Sequence, residues 1–198
     1  KNFMFDVEKY FEKSSEVIKQ LKDHKKKVEL IADRIVECSK KRNKILVGGN
    51  GGSCADADHF TGELQCTYKK SNRSAISAIN IGGMPASITA WANDFGFETY
   101  FERQVKAHGN KGDILFLIST GGGDVEEGSS TCLIKAANEG KKRGMYLISL
   151  VGKTGGALKE SSDICIHVKN NTTAFIQEAH MSILHCICEI LEKDLDNK

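Results

Sequence analysis

Short segments that are apolar at nearly every position alternate with helical patterns along most of this chain. A strand that is apolar throughout, rather than at alternate positions, is typical of a strand covered on both faces. Strands of this kind separated by helices predict a parallel sheet with helices on both sides. The five strand candidates are residues 44–49, 75–81, 113–119, 144–152 and 163–168.

Helical patterns fill most of the remaining sequence, and two of them open the chain. The segments with helical patterning are 4–22, 25–41, 84–92, 95–107, 129–143 and 173–194. The sequence therefore predicts an α/β fold, a three-layer sandwich of the flavodoxin-like or Rossmann-like type with an N-terminal helix pair. Because Pro85 is the only proline and no low-complexity linker occurs, we expect one domain over 1–198, with helices in 1–42 and the α/β core in 43–198.

Composition excludes several classes of function. Lys and Arg number 28 against 26 Asp and Glu, and this near-balance argues against a nucleic-acid-binding protein. No apolar stretch approaches the ~20 residues of a membrane span, and the charged N-terminus does not resemble a signal peptide. The seven cysteines include no Cys-x-x-Cys pair, which favours free thiols in a reducing compartment. We therefore expect a cytoplasmic protein.

Two glycine-rich loops follow predicted strands, at residues 48–53 and 119–123. Glycines let the backbone approach a ligand closely, and a helix that starts after such a loop offers free N–H groups to an anion. Hydroxyl groups beside bare amides can hold a phosphate in the same way. The first loop matches neither the dinucleotide nor the nucleotide fingerprint. Because ligands of parallel sheets bind beyond the carboxyl ends of the strands, the two loops together indicate a phosphorylated ligand.

Several polar side chains could carry chemistry beside these loops. His59 and Glu63 lie four residues apart, on one face of a predicted helix, which suits a metal site, an acid/base pair or a plain surface pair. Gln177, His180 and His185 lie on the otherwise apolar last helix, and spacing alone leaves either histidine as the functional one or as a structural one. A further pair, Asn93 and Asp94, suits ligand binding or helix capping.

Four stretches, taken together, resemble the phosphoheptose isomerases of the sugar isomerase (SIS) class. They occur in the family's order and cover nearly the whole chain with the N-terminal helices. The matching stretches are GNGGSCADADHFTGEL (49–64), ANDFGFE (92–98), GDILFLIST (112–120) and IQEAH...H (176–185).

This resemblance implies an SIS-type fold and an enzyme that converts sedoheptulose 7-phosphate to D-glycero-D-manno-heptose 7-phosphate through an enediol. It places that reaction in bacterial heptose synthesis, for lipopolysaccharide or capsule. It also implies one zinc ion per subunit and a homotetramer with active sites at the subunit interfaces. Residues 1–42 would then be oligomerisation helices and 43–198 the sugar-phosphate-binding core.

The resemblance also implies roles for single residues. Glu63 would be the catalytic base and His185 the acid. The implied zinc ligands are His59, Glu63, Gln177 and His185. The implied substrate-binding residues are Asn50, Gly51, Gly52, Ser53, Glu63, Asn93, Asp94, Ser119, Thr120, Gly121, Ser130 and Gln177.

The second loop departs from the common family pattern. Gly121 stands where a third hydroxyl is usual, residues 123–128 are inserted, and Ser130 takes the place of the helix serine. The insertion brings three carboxylates beside the expected phosphate pocket, and we expect them to face solvent or another part of the sugar.

Two alternatives remain open. One is a non-catalytic SIS module, either a sugar-phosphate sensor or a protein that binds a replication initiator; such a module would not need His59, Glu63 and His185. The other is an isomerase of the same fold for a sugar phosphate with a different number of carbons.

Overall fold

The computed structural model describes residues 5–124, 126 and 128–195, except for the side chain of Asp194. Its strands are β1 (Ile45–Gly49), β2 (Ala78–Asn80), β3 (Ile114–Ser119), β4 (Tyr146–Val151) and β5 (Ile164–His167). They form a sheet in the order β2-β1-β3-β4-β5, and each strand pairing is parallel. The parallel sheet predicted from the apolar segments is confirmed. The order is that of flavodoxin-like folds, in which ligands bind where the strand order reverses, between β1 and β3.

Helices cover both faces of the sheet, as predicted. They are α1 (Val7–Gln20), α2 (Lys25–Lys40), α3 (Gly52–Gln65), α4 (Pro85–Phe95), α5 (Tyr100–His108), α6 (Thr131–Lys142), α7 (Gly156–Ser161) and α8 (Thr173–Asp194). Alternate strand residues enter two cores: Ile45 and Val47 pack with α1, α2, α3 and α8, whereas Leu46 packs with α5, α6 and α7. None of the described helices combines the length and apolar character that a bilayer span requires.

Several predicted boundaries are wrong: the helix predicted to end at residue 92 continues to Phe95, and no helix is predicted where α7 lies. The predicted strand 75–81 shortens to Ala78–Asn80, because the backbone N–H of Ile76 bonds instead to the carbonyl of Leu64 at the end of α3. The predicted helix 95–107 starts too early, since Gly96 adopts a φ of 87° that ends α4 and is followed by a 3-10 turn at Phe97–Thr99. The predicted first helix starts at residue 4, which lies outside the described residues.

Helices α3 and α8 run side by side in the same direction. Gly52 at the start of α3 meets Gln177 near the start of α8, and His59 meets His185 further along both helices. This parallel contact brings side chains that are more than 100 residues apart in sequence into one seam beyond the loop that follows β1.

Candidate active site

The two glycine-rich loops lie next to each other at the switch point of the sheet. Gly49, the last residue of β1, is paired with Ile118, the residue before the last of β3. A Cβ at residue 49 would lie 2.9 Å from the carbonyl oxygen of Ile118, so the chains approach too closely here for a side chain. Gly51, the residue before α3, has a φ of 55°, and both Gly51 and Gly52 are exposed. The first loop therefore presents bare backbone at a helix N-terminus, which suits an anion.

The second loop is held in place by hydrogen bonds from the start of α7. Ser119 is buried and its hydroxyl accepts a hydrogen bond from the Gly122 N–H at 3.0 Å. The carbonyls of Gly122 and Gly123 accept the N–H groups of Leu158 and Ala157, each at 2.9 Å. Thr120 and Gly121 remain partly exposed. The arrangement leaves Thr120 and the Gly121 backbone available to a ligand.

The acidic insertion closes on itself. The Asp124 N–H bonds to the carbonyl of Ser129 at 2.8 Å, and the Asp124 carboxylate accepts the N–H of Glu126 at 2.8 Å. Glu126 is exposed, in line with the expectation that these carboxylates face solvent, while Glu127 lies outside the described residues. Ser130 caps α6 in a left-handed conformation, with a φ of 51°, and its hydroxyl makes no capping bond to the helix.

His59, Glu63 and His185 converge at the seam between α3 and α8. The Nε2 atom of His59 lies 3.2 Å from Oε1 of Glu63 and 3.1 Å from Nε2 of His185. The side chain of Glu63 is only 21% exposed, so its carboxylate is partly sheltered from water. Both short contacts share His59, and no group of three His, Cys, Asp or Glu side chains within the described ranges is arranged so that it could hold a metal ion.

Gln177 lies at the other end of the seam. Its side chain packs on Gly52, where a Cβ would come within 2.9 Å of the Gln177 amide carbon. Because Gln177 and His185 are eight residues apart, they are separated by about 12 Å along α8. The structure therefore joins three of the four implied zinc ligands and places Gln177 beside the first loop.

The remaining implied binding residues are Asn50 in the first loop, Ser53, which is buried at the start of α3, and Asn93 and Asp94 on α4. Asn50 donates from Nδ2 to the sulfur of Cys132 at 3.3 Å, which ties the first loop to α6. Asn93 and Asp94 are exposed at the end of α4, and Nδ2 of Asn93 donates to the Asp94 carboxylate at 2.8 Å. No residue of α4 is buried within this chain. Asn93 and Asp94 therefore project from the surface of the subunit.

His180 is separated from the cluster. Its ring is 0% exposed, and neither ring nitrogen has a hydrogen-bond partner among the described residues. Burial lowers the pKa of His180 to about 4, although the nearby backbone of Val151 raises it slightly. An imidazole in this setting is neutral at ordinary pH and packs as part of the core.

Sequence reasoning missed two residues of the seam. Asp56 shares with His59 and Glu63 the i, i+3 and i, i+7 spacing of one helix face, and its Oδ2 is buried without a described partner. Burial raises the pKa of Asp56 to about 6, against the opposing effect of His59. The ring of Tyr68 stacks on His185 with centroids 6.0 Å apart. Helical spacing could have indicated Asp56, but no local pattern points to Tyr68.

Comparisons with known proteins agree with this geometry. Residues 9–152 match the family model described as SIS domain. A phosphoheptose isomerase of Helicobacter pylori (strain P12) is 40% identical over 164 residues, covering 83% of this chain and 82% of the relative. Phosphoheptose isomerase 1 of Campylobacter jejuni (serotype O:2) is 37% identical over 187 residues, covering 94% and 97%.

Solved structures give the same result. The structure of a phosphoheptose isomerase from Francisella tularensis superimposes with a TM-score of 0.87 at 34% identity, over 94% of this chain and 96% of that one. Sequence and fold thus agree over nearly the full length of both chains. This chain belongs to the phosphoheptose isomerase family of SIS-domain proteins.

Proposed function

We propose that this enzyme interconverts sedoheptulose 7-phosphate and D-glycero-D-manno-heptose 7-phosphate in bacterial heptose synthesis. The observation that carries the proposal is the convergence of His59, Glu63 and His185 at the seam between α8 and α3, the helix that starts at the first glycine-rich loop. A carboxylate and two imidazoles within hydrogen-bond reach can move protons between neighbouring carbon and oxygen atoms. A sugar-phosphate sensor would have no use for such a group.

Glu63 acts as the base in this proposal and His185 as the acid. The Glu63 carboxylate removes the proton from the carbon beside the carbonyl, while His185 gives a proton to the carbonyl oxygen, and the enediol forms. The neighbouring hydroxyl then gives its proton to His185 as Glu63 returns one to the former carbonyl carbon, so both side chains recover their starting state and no proton is gained or lost overall. The Glu63 side chain is only 21% exposed, so little water competes with the substrate for its carboxylate.

The phosphate is held mainly by neutral groups. We assign it to the partly exposed hydroxyl of Thr120, the backbone at Gly121, Ser119 at the end of β3 and Ser130 at the start of α6. Gly51, Gly52 and Ser53 contribute the N-terminus of α3, whose dipole favours an anion. Gln177, lying on Gly52, is in place to bind the sugar between this loop and the Glu63 carboxylate.

The types of donor atom at the seam, imidazole nitrogen and carboxylate oxygen, suit zinc, and we propose one ion per subunit. Two ligands of a tetrahedral zinc lie about 3.3 Å apart, and the contacts from His59 to Glu63 and His185 measure 3.2 and 3.1 Å. We therefore propose His59, Glu63 and His185 as ligands, with Gln177 as a fourth that must reach along α8. A bound zinc would polarise the carbonyl and hydroxyl oxygens of the sugar as a Lewis acid.

A homotetramer is the assembly that we propose. Large apolar side chains are exposed just before α1, in its first half and at both ends of α4. Their exposure predicts that other subunits cover them. They are Phe5, Val7, Phe11, Met84, Phe95 and Phe97. Asn93 and Asp94, which project from α4, would then complete the active site of a neighbouring subunit. All seven cysteines are free thiols, which supports a reducing cytoplasm.

A substrate series tests the proposed function. We expect the purified protein to isomerise sedoheptulose 7-phosphate at a kcat/KM at least about a hundredfold above that for five-carbon and six-carbon ketose phosphates. Preference for a shorter sugar phosphate would assign the fold to another isomerisation. Binding of every sugar phosphate without turnover would instead favour a sensor.

A further inference from the structure

The loop after α3, residues 66–70, carries an aromatic ring onto the proposed acid. The ring of Tyr68 lies parallel to that of His185 within 29°, at a centroid separation of 6.0 Å. Its hydroxyl reaches Oε1 of Glu189, four residues further along α8, at 3.3 Å. One face of the His185 imidazole is therefore covered by Tyr68, while its Nε2 atom faces His59.

A buried carboxylate holds this loop in place. Glu192 is 4% exposed, and its Oε1 atom accepts three successive backbone N–H groups, from Tyr68 at 3.3 Å, Lys69 at 2.9 Å and Lys70 at 3.1 Å. Consecutive N–H groups that point at one oxygen form an anion-binding nest. Burial raises the pKa of Glu192, but these N–H groups and the charge of Arg73 outweigh it and hold that pKa below its usual range.

Contacts from Glu192 extend through Arg73 to the backbone of the proposed base, Glu63. Arg73 is 6% exposed, and its Nε atom lies 3.7 Å from Glu192. Its guanidinium donates to the carbonyl of Leu64 at 3.1 Å and to the backbone carbonyl of Glu63. Glu192 and Arg73 therefore fix the end of α3, the loop 66–70 and α8 relative to one another.

We propose that Tyr68 is a positioning residue, which by stacking holds the His185 imidazole in the orientation that faces His59. The terminal torsion of histidine has broad energy wells, so a ring packed on one face narrows the orientations that the imidazole samples. The role rests on the isomerase chemistry proposed for His185. The aromatic ring carries it and the hydroxyl does not, because the hydroxyl contacts Glu189 rather than His185.

Two substitutions of Tyr68 test the roles of its ring and its hydroxyl separately. Tyr68→Phe keeps the ring and should retain kcat within about twofold, while Tyr68→Leu should lower kcat at least about tenfold with little change in KM. Tyr146→Leu is the matched control, because this partly buried tyrosine lies at the opposite end of the sheet, against Arg34; its kcat should equal that of the parent. If Tyr68→Leu does not fold, Tyr68→Met takes its place.

A measurement that does not depend on turnover completes the test. In the metal-free protein with ¹⁵N-labelled histidine, the imidazole signals of His185, identified by their loss in His185→Gln, should shift or broaden in Tyr68→Leu and stay unchanged in Tyr68→Phe. An unchanged His185 spectrum in Tyr68→Leu overturns the positioning role, as does an unchanged kcat. If the parent turns over no sugar phosphate, the proposed function fails and the imidazole signals alone decide the role of Tyr68.

Discussion

Gln177 fills the space that a side chain on Gly52 would need. A Cβ at residue 52 would lie 2.9 Å from both the amide carbon and the amide oxygen of Gln177. The glycine is therefore required by the neighbouring helix, and its role in the first loop includes placing an amide group on α8.

Gly52→Ala should displace Gln177 and lower kcat/KM at least about tenfold. The Gln177 amide ends a flexible side chain and can move aside, so we expect the melting temperature to change little. Gly62→Ala is the matched control, because it lies on the same helix with nothing within 4 Å of the added Cβ. Parent-like kinetics in Gly52→Ala would contradict this prediction, as would a Gly52→Ala/Gln177→Ala double variant much worse than Gln177→Ala alone.

Glu63→Gln should keep the fold and lower kcat at least about a hundredfold, because the nearly isosteric amide cannot accept the substrate proton. Steady-state kinetics and circular dichroism measure the two effects. Glu102→Gln removes a carboxylate paired with Lys106 on α5 and should leave kcat unchanged. Turnover within a few-fold of the parent in Glu63→Gln would reject Glu63 as the base.

Substitution of each histidine of α8 by glutamine should separate a functional from a structural imidazole. His185→Gln should lose both bound zinc and isomerisation, since Nε2 of His185 contacts His59. His180→Gln should keep bound zinc and lose stability instead, because His180 is 0% exposed. Metal analysis, kinetics and thermal unfolding report the three properties. The reverse pattern would move the metal and acid roles to His180.

We expect the burial of neutral His180 to make the free energy of unfolding decrease as the pH falls. Its pKa is about 4 in the folded chain against 6.5 for an ordinary histidine, so the unfolded state binds the proton more readily between these values. Above pH 6.5 the neutral His180 does not lower the free energy of unfolding. As the pH falls towards 4, the free energy of unfolding decreases by a total on the order of 3 kcal/mol.

Asp56 opposes this effect, because burial raises its pKa to about 6 and favours the folded state as the pH falls below that value. The informative quantity is therefore the difference in the free energy of unfolding between the parent and His180→Met. Urea titrations from pH 7.5 to 4 should show the parent losing stability relative to this variant. Parallel curves would mean that His180 is not buried as a neutral imidazole.

The tetramer should depend on the exposed apolar face of α1. We expect light scattering to give a tetramer for the parent and smaller species for Phe11→Glu, because Phe11 is 65% exposed in the single chain. Lys13→Glu introduces the same charge at an exposed polar position of the same helix and should remain tetrameric. A monomeric parent at micromolar concentration would refute the assembly.

The sequence predicts the sheet well because each parallel strand is marked by its own residues. The segment 113–119, for example, becomes β3 with one residue trimmed. Prediction fails where a neighbour decides, as at Ile76, whose N–H bonds to Leu64 rather than to a strand. It also fails at Gly96, because a positive φ is allowed for glycine but not required by it.

The site can be predicted only in part from the sequence, because contacts with distant parts of the chain decide the rest. His59 and Glu63 share a helix face, so their contact follows from spacing alone. The position of Gln177 depends on the parallel packing of α8 on α3, which local spacing does not contain. Tyr68 reaches His185 only because a buried carboxylate 124 residues further along the chain accepts its backbone N–H.

The closure of the acidic insertion has an evolutionary consequence. The chain enters and leaves the insertion at adjacent points, since the Asp124 N–H bonds to the Ser129 carbonyl at 2.8 Å. Insertions or deletions between these points need not move β3 or α6, because loop length by itself adds little to the free energy of loop closure. Relatives can therefore differ in length beside the second glycine-rich loop while β3 and α6 keep their places.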